Sequence, residues 1–539
     1  MQKEDTPRAV ARSSLAFFTG TLLSRVSGLG RDMAMAFAFG SDPAIAAFMV
    51  AFRLANAIRR LFGEGPLPAG FIPHFEHVRN DSPEKGAQFF RDLFFTLATF
   101  LMLLVGGIDL LLVIWWKWGH LSESAAQIVY LTMLMMPGIV FICLFGLSSA
   151  LLQCEKRFFL TGFAPVGFNV VWIGSAWWLK DKIPSDAVVF LSLAIVVAFL
   201  AQWMFLVPRT YSVLRGALTG KHIFSPRLFH PEIKKIIKPF LLGAIGVGAV
   251  QINSAMDAIF ARFASLEGPA YLWYAIRIEQ LPLALIAIAL SSALLPSFAR
   301  AMKNQEYDRY LQLMHFALKR SFSLIFPCAI ALFVLGVVGI NLLYGRGDFS
   351  HAATYETTLC LWGYGLGLVP SVFVLFLASG FYATKEYKIP SRGSVYSVIL
   401  NLALTSLFVF GWGWGAFSIA VATSICAFFN CFYLAYHLKR QVGNALFNRD
   451  VFQSFFKVTS ATVTAAGITL LVGYFLIEDP TLQLILGKEV IFIRSFKEQL
   501  LQFLALSGTF LMIFFSYAWM INAEDVLELI RLKKRELQS

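Results

Sequence analysis

The stretch FFRDLFFTLATFLMLLVGGIDLLLVIW, residues 89–115, is almost entirely apolar. It is longer than the roughly 20 apolar residues that cross a bilayer as an α-helix. Comparable stretches recur along the whole chain, which predicts an all-α polytopic membrane protein with fourteen spans. The predicted spans are residues 14–38, 45–72, 89–115, 125–152, 160–179, 187–208, 237–263, 270–299, 316–343, 357–383, 391–410, 414–436, 455–477 and 499–521. We expect Pro66 and Pro68 to interrupt the second span and Pro282 to interrupt the eighth.

The composition supports this fold class. Of the 539 residues, 58% are hydrophobic and only 14% are charged, whereas a soluble chain carries roughly 25% charged residues. A soluble enzyme, a disordered chain, a collagen-like fibre and a small disulfide scaffold are therefore excluded. The cysteines lie in or beside apolar segments without a C-x-x-C pair, which predicts buried thiols rather than disulfides or metal ligands. They are Cys143, Cys154, Cys328, Cys360, Cys426 and Cys431.

The net charge of +13 indicates membrane topology rather than nucleic-acid binding, because the basic residues lie mostly in short loops between spans. The loop after the sixth span is the longest and most basic. It contains Arg209, Arg215, Lys221, Arg227, Lys234, Lys235 and Lys238. Basic loops follow the even-numbered spans, so the positive-inside rule predicts that both termini are cytoplasmic. Lys488 and Arg494 are exceptions on the opposite side.

An internal repeat relates the two halves of the chain. The segment RDMAMAF at 31–37 resembles MDAIFAR at 256–262, AFRL at 51–54 resembles AIRI at 275–278, and GFIPHF at 70–75 resembles ALLPSF at 293–298. These matches place Asp32 over Asp257, Arg53 over Arg277, Pro73 over Pro296 and, further on, Lys156 over Lys385. Each copy has six predicted spans, so the copies enter the membrane in the same direction, as in alternating-access carriers.

The repeat predicts four parts of the chain. We expect an N-terminal six-helix lobe at 1–210, a basic cytoplasmic linker at 211–238 and a C-terminal six-helix lobe at 239–440. The last part, 441–539, contains two additional helices and a basic tail.

The candidate functional residues are among the charged and polar residues of the first, second, seventh and eighth predicted spans, since such residues are costly in lipid and usually face a cavity or a partner. They are Arg25, Arg31 and Asp32 in the first span, Arg53, Asn56, Arg59, Arg60 and Glu64 in the second, Asp257 and Arg262 in the seventh, and Arg277 and Glu279 in the eighth. Internal ion pairs, such as Arg25 with Asp32 or Arg60 with Glu64, are one interpretation. As a set, however, the arginines outnumber the acids, most clearly in the first two of these spans, which favours an anionic and phosphorylated substrate.

Asp257 has two interpretations of its own. It either forms a salt bridge to a neighbouring arginine, which we favour, or binds a cation or proton coupled to transport. The chain has no P-loop, G-x-S-x-G, H-E-x-x-H or D-x-D motif. We therefore expect a transporter rather than an enzyme, with no cofactor.

Several of these segments carry a resemblance to a known family. SRVSGLGRDMAMAFAFG at 24–40, AFRLANAIRRLFGEGPLPAGFIP at 51–73, FAPVGFNV at 163–170, LLPSFA at 294–299 and GFYATKEYKIP at 380–390 resemble the MurJ (MviN) family of bacterial lipid II flippases. The resemblance extends from about residue 12 to 440. It implies a transporter of the MOP superfamily with two six-helix lobes around a cationic cavity, and a groove for the lipid tail along helices 13 and 14.

The resemblance also implies a substrate and its binding residues. The substrate would be lipid II, an undecaprenyl-pyrophosphate-linked muropeptide moved from the inner to the outer leaflet of the bacterial cytoplasmic membrane. Cell-wall synthesis proteins are further candidate partners. The family's essential arginines fall on Arg25, Arg31, Arg59 and Arg277, and its acids in the same motifs fall on Asp32 and Glu64. This chain departs from the family at Ala46 and Ile276, where many members carry an acid, and at Ala55, where many carry proline.

Two other functions stay open from the sequence. A related flippase could carry a different polyprenyl-linked sugar through the same kind of cavity. A cation-coupled drug exporter would require a net acidic cavity, which these spans lack. A membrane-embedded enzyme acting on lipid-linked sugars is disfavoured, because no metal-binding acid cluster is evident.

Overall fold

The computed structural model describes residues 7–63, 65–218, 223, 225–228, 230–284, 288–446, 448–477, 480–486, 490 and 492–528. Within these ranges the regular structure is helical and no strand occurs. Packing divides the chain into two compact units, residues 1–259 and 260–539. All six cysteines are free thiols.

The first unit is built from ten helices and most of an eleventh. They are α1 (Pro7–Phe39), α2 (Pro43–Phe62), α3 (Pro66–Asp81), α4 (Pro83–Trp118), α5 (Glu123–Met135), α6 (Pro137–Cys154), α7 (Phe158–Phe163), α8 (Pro165–Leu179), α9 (Pro184–Met204), α10 (Val207–Ala217) and α11 (Pro231–Ala264). Proline begins most of them, because its fixed φ and missing N–H suit the first helical turn. Asp42 caps α2 by accepting a hydrogen bond from the Ala44 amide at 2.8 Å.

The second unit contains the end of α11 and eleven further helices. They are α12 (Gly268–Pro282), α13 (Ile288–Lys303), α14 (Tyr307–Val334), α15 (Gly336–Tyr344), α16 (His351–Leu366), α17 (Leu368–Ala383), α18 (Lys388–Ser406), α19 (Phe417–Val442), α20 (Arg449–Val472), α21 (Pro480–Ile485) and α22 (Phe496–Met520). The helices α20 and α22, which correspond to the two additional spans, pack against each other, and α20 also packs on α14. Phe322 of α14 stacks on Phe455 of α20 with 4.1 Å between ring centroids.

Ten helical segments of the described residues are long and apolar enough to cross a membrane. They coincide with predicted spans three to six and nine to fourteen. The four other predicted spans contain the candidate charged residues and correspond to α1, α2 with α3, α11, and α12 with α13. The prediction of a polytopic all-α membrane protein is confirmed, and the total of fourteen crossings stays a prediction.

The predicted interruption of the second span is confirmed. Helix α2 ends at Phe62 and a separate helix, α3, begins at Pro66. Gly65 has φ +65°, a left-handed conformation that favours glycine. Helix α12 ends at Pro282, where the eighth span was predicted to break.

Gly146 of α6 packs closely against Gly63 at the end of α2, and we expect Gly146→Ala to disrupt this packing. A Cβ atom at Gly146 of α6 would lie 1.9 Å from the Gly63 carbonyl oxygen. Since that neighbour is backbone, the two helices must separate, and overpacking of this kind costs roughly 1–3 kcal/mol or more. We expect a lower melting temperature of the purified protein. Gly174→Ala on α8, where a Cβ meets nothing within 4 Å, is the control, and equal melting of the two variants would contradict the prediction.

Candidate functional site

Helix α1 carries Arg31 and Asp32 into the interior of the first unit, where they are 7% and 2% exposed. The Arg31 Nη2 atom lies 2.8 Å from Asp32 Oδ1. Its Nη1 donates to Asn169 Oδ1 at 3.3 Å, and the guanidinium lies 4.6 Å from the Trp172 ring centroid. The sequence allowed Asp32 to pair with Arg25, but the structure pairs it with Arg31. The charge of Arg31 is therefore balanced inside the unit.

Asn169 is a site residue that sequence reasoning missed. Besides accepting from Arg31, its Nδ2 atom donates to Ser27 Oγ at 2.8 Å and to the Ser24 carbonyl at 3.1 Å. It thereby fixes α8 to α1 at the level of Arg31. The segment at 163–170 resembled the family, but nothing in that segment alone indicated which residue of α1 its asparagine would contact.

Arg25 differs from Arg31 in its surroundings. It lies on the exposed surface of the first unit, beside Leu22 and Val26, which are 42% and 62% exposed. Helix α1 runs without interruption through Gly28 and Gly30. Arg25 and Arg31 therefore belong to one continuous helix, with Arg25 on the surface of the unit and Arg31 in its interior.

Helix α2 is buried along its first half and more exposed along its second half. Its first half is core, and Ala46, where many family members carry an acid, is 0% exposed. In its second half Arg53, Asn56 and Arg59 are half-buried and Arg60 is exposed. Glu64, the last candidate of the second predicted span, lies outside the described residues.

Asp257 and Arg277 lie in different units. Asp257 is 8% exposed near the end of α11, and Asn253 Nδ2 donates to its Oδ2 at 3.4 Å. Arg277 is half-buried on α12, and its guanidinium lies 4.5 Å from the Trp273 ring centroid. A tryptophan face favours a cation and restricts the orientation of the guanidinium. That Arg277 shares one cavity with Arg25, Arg31 and Arg59 stays a prediction.

The basic linker after α10 is attached to the first unit by acids that sequence reasoning did not select. Asp92 of α4 is 3% exposed, pairs with Arg91 at 2.7 Å and accepts from the Arg227 amide at 2.9 Å. Glu232, at the start of α11, lies 2.9 Å from His74 of α3. A hydrogen bond from Lys235 and the contact with His74 lower the pKa of Glu232. Part of the linker is therefore held in place by specific contacts.

Within the described ranges, no group of three or more His, Cys, Asp or Glu side chains could hold a metal ion. Arginine is the recurring charged residue among the candidates, and guanidinium groups bind phosphate and carboxylate through paired hydrogen bonds. Apolar helices that enclose buried and half-buried arginines are typical of a multi-pass membrane transporter with an anionic substrate.

Comparison with known proteins identifies the family. The family described as lipid II flippase MurJ matches residues 35–486. A protein of Chlamydia pneumoniae described as "Probable lipid II flippase MurJ" is 30% identical over 98% of this chain and 96% of its own length. The chain belongs to the MurJ lipid II flippase family.

Solved structures agree on the fold. One titled "Lipid II flippase MurJ, inward closed conformation" matches with a TM-score of 0.72 and 20% identity, covering 94% of this chain and 99% of that one. A multidrug resistance MATE family transporter of the MOP superfamily matches with a TM-score of 0.64 and 12% identity, covering 80% and 98%. The predicted resemblance and fold class are confirmed.

Proposed function

We propose that this protein moves lipid II from the inner to the outer leaflet of the bacterial cytoplasmic membrane. The observation that carries the proposal is the family match over residues 35–486. This chain matches the relative from Chlamydia pneumoniae over nearly its whole length, and that relative is described as a probable lipid II flippase. We also propose that both termini are cytoplasmic, because basic loops follow the even-numbered spans.

The arginines supply the chemistry that this transport requires. A pyrophosphate head group is anionic and cannot enter hydrocarbon without replacement of its hydration. Arg25 is exposed, and Arg59 and Arg277 are half-buried, so these three side chains are the ones that can reach a head group. Arg31 is occupied by Asp32 and Asn169. We therefore assign Arg31 to positioning α1, with Arg53, Asn56 and Arg60 as supporting polar groups.

Alternating access would then carry only the head group through the protein while the polyprenyl tail stays in lipid. The two repeats would rock to open each side in turn, as in carriers built from parallel repeats. The sequence contains no P-loop, so the energy comes from an ion gradient, the membrane potential or removal of product. The contact between Asn253 and Asp257 supports a local structural role for Asp257 rather than ion coupling.

A flippase for another polyprenyl-linked saccharide is the second candidate, since the same arginines would bind its pyrophosphate. A drug exporter is suggested by the structural match to a MATE transporter. The surplus of arginines among the candidate residues disfavours it, because a cationic drug would be repelled.

Depletion of this protein should trap lipid II in the inner leaflet and stop wall growth. The measurement is the amount of lipid II accessible to an impermeant reagent from outside the cell, in a strain that lacks any second flippase. Re-expression of the wild-type chain should restore both accessibility and growth. Unchanged outer-leaflet lipid II on depletion would reject the proposal and favour the second candidate.

A further inference from the structure

Two arginines on the side opposite the basic loops are not used by the proposed transport cavity. Arg346 follows α15, and Arg494 precedes α22. Both loops lie in the second unit, at the ends of spans that the positive-inside rule directs outward. Arg494 was an exception to that rule in the sequence, and a cation that breaks the rule calls for a structural or functional reason.

A single glutamine connects the two segments that carry these arginines. Gln499 of α22 is 0% exposed, and its Nε2 atom donates to the carbonyls of Gly345 at 3.3 Å and Ile493 at 2.8 Å. Those carbonyls belong to the residues directly before Arg346 and Arg494. The Gln499 side-chain amide therefore connects the backbone next to Arg346 with the backbone next to Arg494.

Each guanidinium group forms a hydrogen bond to an uncharged acceptor. Arg346 Nη1 donates to Gln499 Oε1 at 3.4 Å, and its Cζ lies 4.7 Å from the Phe496 ring centroid. Arg494 Nη1 donates to the Phe349 carbonyl at 2.9 Å. Across the ranges that the structure describes, neither forms an ion pair with a carboxylate. These contacts use only part of the five N–H donors that each guanidinium carries.

The surroundings of the two arginines are half-buried and border lipid-exposed surface. Both side chains are half-buried, and burial lowers the pKa of each below its ordinary value. Phe496 and Leu501 on α22 are 53% and 57% exposed, and Phe475 after α20 is 72% exposed. Because α20 and α22 are long and apolar enough to span a membrane, we expect these exposed side chains to face lipid.

We propose that Arg346 and Arg494 form a binding site for the phosphate group of a lipid in the outer leaflet. Two guanidinium groups on segments that Gln499 connects can each donate paired hydrogen bonds to phosphate oxygens. The aromatic and aliphatic side chains beside them can accept the adjoining acyl or prenyl chain. The ligand is either an anionic phospholipid or a polyprenyl pyrophosphate, which share this chemistry. The inference is separate from the proposed function, because binding is measured without transport.

The test measures lipid binding to the purified full-length protein by native mass spectrometry. All variants carry Arg277→Ala, which removes the candidate cavity arginine of the second unit from the measurement. The probes are phosphatidylglycerol, undecaprenyl pyrophosphate and, as a lipid without net charge, phosphatidylethanolamine. We expect Arg346→Gln with Arg494→Gln to weaken binding of at least one anionic probe by roughly tenfold or more. The anionic probe whose binding is weakened identifies the ligand.

Two controls keep the test specific. Lys180→Gln with Lys182→Gln removes the same charge from the end of α8 and its following turn, where the lysines lie over Trp177 and Phe190. This control pair should bind phosphatidylglycerol and undecaprenyl pyrophosphate with the same affinity as the protein that carries Arg277→Ala alone. Arg346→Lys with Arg494→Lys keeps the charge and should bind with intermediate affinity, which separates loss of the site from loss of the fold. Equal affinity of the glutamine pair and the control pair for both anionic lipids would overturn the proposal.

Discussion

Replacing Arg277 by alanine should abolish growth in a strain that depends on this protein, while the purified variant melts as the wild type does. Alanine removes the guanidinium group of Arg277 from α12. The loss of a hydrogen bond to a charged group costs roughly 1.5–3 kcal/mol. Substrate affinity should therefore fall by about one to two orders of magnitude. Complementation of growth and the outer-leaflet content of lipid II are the two measurements.

The nature of the Arg277 interaction is tested by two further variants. Arg277→Lys keeps the charge and the contact with Trp273 but loses the planar fork, so we expect partial function. Arg300→Ala removes an exposed arginine from the end of α13 in the same unit, where it donates to Ser297, and should leave growth unchanged. Growth and flipping at wild-type levels in Arg277→Ala would show that Arg277 is not part of the substrate site.

Asp32→Ala should strongly destabilise the first unit. Asp32 is 2% exposed and 2.8 Å from Arg31, so its removal leaves a buried guanidinium without its carboxylate. Breaking a buried ion pair in this way costs roughly 3–5 kcal/mol. We expect a lower free energy of unfolding in a detergent titration and reduced accumulation in the membrane.

A double variant distinguishes a structural role of Arg31 from a role in substrate binding. Arg31→Gln with Asp32→Asn removes both charges and keeps polar groups near Asn169, so it should recover most of the stability lost in Asp32→Ala. If Arg31 only positions α1, this double variant should also support growth. A stable double variant that does not support growth would instead place Arg31 in contact with the substrate and contradict our assignment.

The sequence by itself determined the class of protein, because the free energy of placing a side chain in lipid depends mainly on its own chemistry. The run at 89–115 predicted a spanning helix, and α4 contains it. The prolines at 66 and 68 predicted the break after α2, since the φ restriction and missing N–H of proline act locally. The arginines could be selected from the sequence because a charge inside an otherwise apolar span is costly in lipid.

The tertiary structure decided which partners these charges meet. The family resemblance grouped Arg25 and Arg31 as substrate-binding residues, but Arg31 meets Asn169, 138 residues away, and Arg25 stays on the surface of its unit. Likewise, Gln499 bonds to the carbonyl of Gly345, 154 residues distant, and so connects the segments that carry Arg346 and Arg494. Helical periodicity fixes neighbours only within a few turns. Contacts between helices depend on how whole elements pack, so a buried and neutralised arginine could be told from an available one only in the folded protein.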